Sequence, residues 1–224
     1  MIRMYTALTF GVMLFRLPCL AQVPKASSSG PELTAGMGVY TVNPQDVVDW
    51  VNSITSGGDR VPSFNTAVEF FLLAGLRVSP DLRLKLDYGM MLTSFNREGQ
   101  FGPAEFTIIV HMPSLLLEYV LADEGLYSLK AGVGGGYHFG SVDQKYVFID
   151  TRYRSSGAGI VLQLEGNTAL SEQLFAYLGV CARWEILGDL QSDRGAAPGG
   201  AGLADMPTLQ MFGLGARLGL SFFF

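Results

Sequence analysis

What this chain lacks narrows it first. Only 2 of its 224 residues are cysteines. Cys19 falls in an N-terminal segment read below as removed, so Cys181 stands alone and an internal disulfide is excluded. Charge is scarce at 16%, the formal net charge is −5, and Lys and Arg are nowhere clustered. That excludes the electrostatic footprint of a nucleic-acid binder. Two histidines and one remaining thiol offer no metal-ligand spacing, so neither a metal nor a cofactor is expected. After Gln22 there is no run of 18 uncharged apolar residues. The nearest, 106–122, is broken by His111, Pro113 and Glu118, so it reads as strand, with a helical membrane span the poorer alternative.

What is present is apolar alternation. Hydrophobic residues make up 49% of the chain. Counted back from the C-terminal end, Phe224, Phe222, Leu220, Leu218, Ala216, Leu214 and Phe212 alternate with Phe223, Ser221, Gly219, Arg217, Gly215 and Gly213. A period of two over that length is a strand with one greasy and one polar face.

Residues 1–21 read as a secretory signal peptide: Arg3, an apolar run from Tyr5 to Phe15, and Cys19-Leu20-Ala21 before a cut at Gln22. Pro18 before Cys19 argues against a lipidation site. Cleavage removes Arg3 and Arg16 and no acid, taking the charge to −7. Residues 22–32 have linker composition, and 33–224 form one domain.

Eight period-two segments follow: Leu33–Val42, Phe64–Val78, Leu82–Ser94, Glu105–Leu121, Leu126–Phe139, Gly157–Thr168, Leu174–Leu187 and Leu209–Phe224. Tight connections (79–81, 122–125, 169–173) alternate with long ones (43–63, 95–104, 140–156, 188–208). This predicts an all-β, antiparallel up-and-down barrel with short turns at one end and long loops at the other. No charge falls in the apolar register of any strand, as lipid demands; each misplaced Arg or Lys at the bilayer midplane would cost roughly 2–4 kcal/mol. The fourth segment changes parity at Pro113, which predicts a bulge there. Outward aromatics fall into two groups, Tyr119, Tyr127, Phe222 and Phe224 near the tight turns and Phe64, Tyr137, Phe139, Trp184 and Phe212 near the long loops.

The opposite register collects Glu69, Arg77, Arg83, Lys85, Asp87, Glu118, Lys130, Glu165, Arg183, Glu185 and Arg217. Eight strands enclose a lumen that side chains just fill, so these groups are expected to pair into a polar network that plugs the barrel. A narrow ion path is the alternative. Gly132, Gly134, Gly136, Gly213, Gly215 and Gly219 are expected to make room for long Arg and Lys side chains. In the first loop, Asn43-Pro44 reads as a helix start and Val47, Val48, Trp50, Val51 and Ile54 as one apolar face, stopped at Gly57-Gly58. This helix either packs on the barrel or offers Trp50 as an interaction anchor. The last loop, 195–202, is rich in Gly, Ala and Pro and reads as disordered.

Signal peptide, eight alternating strands and terminal aromatic strand together resemble the small eight-stranded outer-membrane β-barrel proteins of diderm bacteria, such as the OmpA transmembrane domain and the OmpX-type barrels. The resemblance implies an outer-membrane location, outer-membrane lipid and the barrel-assembly machinery as partners, and Phe222 and Phe224 as part of the assembly signal. Some such barrels modify lipid A with a Ser and a His. Here His111 and His138 accompany Ser114, Ser128 and Ser141, but His111 and Ser114 face opposite sides unless a bulge intervenes. No catalytic residue is assigned and no enzymatic activity is expected.

Overall fold

The computed structural model describes residues 30–54, 60, 65–99, 102–146, 149–192 and 207–224. The expected signal peptide, most of the linker, Gly57-Gly58, Phe64 and the loop 195–202 lie outside these residues. Within them the chain forms β1 (Glu32–Asn43), α1 (Gln45–Ile54), β2 (Asn65–Arg77), β3 (Leu82–Gly99), β4 (Gly102–Asp123), β5 (Tyr127–Tyr146), β6 (Ile149–Ala169), β7 (Leu174–Asp189), a two-residue β8 (Gln191–Ser192) and β9 (Thr208–Phe223). Each long strand pairs antiparallel with its neighbours. β1 pairs with β9 and β5 with β6, so the eight long strands close a ring and leave no free edge; β8 adds only a short patch to β6.

Alternation sorts the side chains as the sequence does. Leu72, Leu76, Leu86, Leu117, Val133, Leu162, Val180 and Leu218 point outward and are exposed. Aromatic contacts flank this belt. Phe222 meets Phe224 at 4.9 Å at the tight-turn end, and Trp184 meets Phe212 at 4.7 Å at the other. The turn between β4 and β5 contains Gly125 at φ 75°, a left-handed conformation that glycine adopts without strain.

Three expectations need correction. First, two of the four long connections are largely strand: β3 and β4 stay paired to Gly99↔Gly102, and β5 and β6 to Tyr146↔Ile149. Their outer ends alternate in polar residues, so the hydrophobic period stops while the ladder continues. Second, β4 has no bulge at Pro113. Its register against β5 is the same at His111↔Phe139 as at Ser114↔Gly136. The apolar residues simply change sides of the wall: Phe106, Ile108, Val110 and Met112 face into the barrel, whereas Leu115, Leu117 and Tyr119 face out. The irregularity lies nearer the turn, between Val120 and Ala122. Third, the glycines make room mainly for other things. A Cβ at Gly134 or Gly136 would overlap the β4 backbone, at Gly132 the Glu118 side chain, and at Gly215 the Tyr40 ring.

The long-loop end is filled by an apolar core. α1 turns Val47, Val48, Trp50 and Val51 inward, where they pack with Tyr40, Val42, Phe106, Ile108, Val110, Tyr153, Leu209 and Met211. Trp50 is therefore not a surface anchor. It is 6% exposed, its ring edge-on to Phe106 (6.0 Å) and Tyr153 (5.6 Å). Asn43 ends β1 rather than capping α1, and its side-chain carbonyl has no hydrogen-bond partner. The helix is instead tethered by Asp46, whose carboxylate accepts from Thr208 Oγ1.

Candidate functional site

Below the apolar core the lumen is ionic, in two layers. Nearest the tight turns, Lys85 Nζ donates to Glu165 (2.7 Å) and Glu32 (3.0 Å) and lies 3.1 Å from Glu118. Lys130 Nζ donates to Glu165 (2.7 Å) and Glu32 (3.1 Å), and Arg83 also donates to Glu32. Three cations and three carboxylates thus share one buried cluster. In the next layer Arg217 grips Glu69 through two parallel bonds of 2.7 and 2.6 Å, while Arg183 and Arg217 both reach Asp87, at 2.6 and 3.1 Å. Gln163 links the layers: its amide nitrogen donates to Glu165 and Glu118, and its carbonyl accepts from Arg217.

Burial dictates this arrangement. Charges without water are tolerated only when paired and hydrogen-bonded. Aromatic faces complete the enclosure, with Arg217 over Phe71 at 4.5 Å, and Arg83 and Lys130 over Phe223 at 5.3 and 5.5 Å. The terminal aromatics therefore divide. Phe223 roofs the charged cluster from within, while Phe222 and Phe224 face outward.

Of the interior residues read from sequence, Glu69, Arg83, Lys85, Asp87, Glu118, Lys130, Glu165, Arg183, Glu185 and Arg217 are buried in the lumen. Arg77 is not with them. It sits at the rim, donating to the backbone carbonyls of Ser79 and Pro80. Glu32, assigned to the linker, is instead the acceptor common to Arg83, Lys85 and Lys130. The missed signal was parity, because Glu32 continues the inward series of Thr34, Gly36, Gly38 and Tyr40.

A third group lies between the Arg layer and the apolar core. Ser114 Oγ is 2.9 Å from His138 Nε2, and His138 Nδ1 is hydrogen-bonded to the Glu185 carboxylate. The wall is built for this contact. Ser114, Gly136, Gly159 and Glu185 are successive cross-strand partners on β4, β5, β6 and β7. His138, two residues along β5 from Gly136, lies over Gly159, where a Cβ would overlap its ring. In the sequence the histidine nearest Ser114 is His111 instead. His111 faces out and bonds Tyr88 Oη at 2.9 Å. Ser128 is buried by the tight turn between β4 and β5, and Ser141 pairs with Arg154 far above it.

A closed ring of eight long antiparallel strands, greasy outside between two aromatic bands and ionic inside, leaves one class of architecture. The fold is that of the small outer-membrane β-barrels. Neisserial surface protein A superposes with a TM-score of 0.54 at 11% identity, over 88% of this chain and 98% of that one. The Pseudomonas aeruginosa outer-membrane protein OprG gives 0.53 at 14%, over 89% and 98%. Ail of Yersinia pestis, solved with the heparin analogue sucrose octasulfate, gives 0.50 at 10%, over 88% and 99%. No family model and no curated protein matches the chain. As an outer-membrane-type barrel, this chain has the outward register expected of it. Between the aromatic bands, no exposed Asp, Glu, Lys or Arg is found among the described residues.

Proposed function

We propose that this protein is a closed outer-membrane barrel with a structural or surface-interaction role, its interior serving stability rather than passage. The observation that carries the reading is the filled lumen. Paired charges occupy its tight-turn half, and α1 with the apolar core occupies the mouth. An open aqueous path would need unpaired polar lining and free volume along the axis. Interaction with the outside then falls to the protruding β3–β4 and β5–β6 hairpins. The rim is mixed in charge. Arg152 is held in a two-bonded pair by Asp143, and Lys145, Arg154, Glu105 and Asp150 are exposed around it. Such a rim, on a chain of net charge −5, suits a zwitterionic or protein partner better than the polysulfate seen with Ail.

Outer-membrane fractions run with and without boiling test the barrel, because a folded barrel migrates differently from its unfolded chain. Planar-bilayer recording tests the closed lumen. Stepwise conductance of the purified chain would replace this reading with that of a small-solute pore.

A further inference from the structure

We propose that Ser114, His138 and Glu185 form a nucleophilic site in the barrel wall that cleaves an acyl ester of an outer-leaflet lipid. The inference rests on the membrane-barrel reading above and goes beyond it. Nucleophile, base and orienting acid are in hydrogen-bond contact in the required order, Oγ to Nε2 and Nδ1 to carboxylate. They are also buried, at 5%, 0% and 2% exposure, where a preorganised charge counts most.

A candidate stabiliser of the oxyanion is close by. Arg183 is two residues from Glu185 on the same inner face, and its Nη1 lies 3.9 Å from Met112 Sδ, two residues before Ser114. Its Nε has no hydrogen-bond partner although fully buried. An unsatisfied buried donor is costly unless something else needs it.

Depth and access point to the substrate. His138 lies between Tyr137 and Phe139, and Glu185 follows Trp184, all three aromatics exposed in the band at the long-loop end. The site therefore sits on the inner wall at the level where lipid headgroups join their acyl chains. From the mouth it is covered by α1 and the apolar core, and from the other end by the ion pairs. The β4–β5 ladder is interrupted here. The β4–β5 ladder pairs His111 with Phe139 and Ser114 with Gly136, but neither Met112 nor Pro113 with the residues between. Pro113 has no N–H to donate and is exposed on the outer face. An ester carbonyl enters at this gap in the β4–β5 ladder, beside Pro113.

In the reaction, Ser114 Oγ attacks the carbonyl carbon while His138 Nε2 takes the Oγ proton. The ester C–O bond breaks, and the leaving alcohol takes that proton from His138. Water then attacks the acyl-Ser114 ester, giving its proton to His138. The carboxylic acid departs as Oγ is reprotonated. Glu185 is a positioning residue that holds the imidazole tautomer.

The test uses the full chain refolded into phospholipid–detergent mixed micelles. A fluorescent fluorophosphonate labels reactive serines, and released fatty acid is measured alongside. The expected results are a label on the peptide containing Ser114 and fatty-acid release, both abolished in Ser114→Ala and His138→Ala. Gly159→Ala should lose labelling because the added Cβ displaces His138. Glu185→Gln should slow turnover by roughly 10³-fold or more and alter its pH profile, with the heat-modifiable gel shift intact. A chain that shows the gel shift but neither label nor fatty-acid release overturns the proposal and leaves the barrel standing. Labelling that persists in Ser114→Ala overturns it too. Loss of the gel shift in the wild type overturns the membrane-barrel reading, and the proposal with it.

Discussion

At the scale of single residues, the lumen divides into charges that must pair and charges that need not. Lys85 has three carboxylates around it and no exposed surface. Its replacement by Met leaves Glu32, Glu118 and Glu165 with two cations. We expect a loss of about 3–5 kcal/mol, read as a lower urea midpoint of the heat-modifiable form. Arg152 offers the contrast, since its side chain is 53% exposed beside Asp143. Arg152→Ala should change the same midpoint by no more than about 0.5 kcal/mol. The interior network was legible in sequence wherever a charge stood inside an obvious alternating run, as Asp87 and Arg183 do. Glu32 was not, because it precedes the first apolar residue of its strand. Ser114 with His138 was hidden for a different reason. Counting up from Asp123↔Ser128 at the turn sets Ser114 opposite Tyr137, on the lipid side. Only the irregularity at Val120/Ala122 shifts the register by one and brings Gly136 opposite instead.

At the scale of elements, α1 shows how an amphipathic stretch is read correctly in type but not in destination. Its apolar face was plain, while the apolar lining it meets was mistaken for a lipid-facing face of β4. A lumen need not be polar throughout, and Phe106 to Met112 mark the depth at which this one stops being so. Trp50→Ala should cost about 3 kcal/mol through the lost packing against Phe106 and Tyr153. Replacing 45–54 by a flexible linker should leave the barrel non-conducting in planar bilayers. The ion-pair layers still fill the lumen beneath. A steady open channel in that variant would show that α1 alone was the plug.

For the whole molecule, closure depends on the last strand. Phe224 N–H donates to Pro31 O, Phe222 and Phe224 pack together outside, and Phe223 roofs the charged cluster inside. We expect deletion of Phe224 to reduce the heat-modifiable fraction in outer membranes more than removal of either hairpin tip does. Normal insertion of that truncation would remove the terminal strand from the assembly signal.

The meeting of β1 with β9 has a consequence for the order of events. Thr34 and Ser221 touch across the seam at 2.7 Å although 187 residues separate them. Glu32, the counter-ion of Arg83, Lys85 and Lys130, arrives on that same first strand. Until the two ends of the chain zip together, the cluster is one carboxylate short, with Glu118 and Glu165 alone facing its cations, and it keeps its water. Drying of the interior and completion of the ring are therefore a single step, and a half-built wall stays wet.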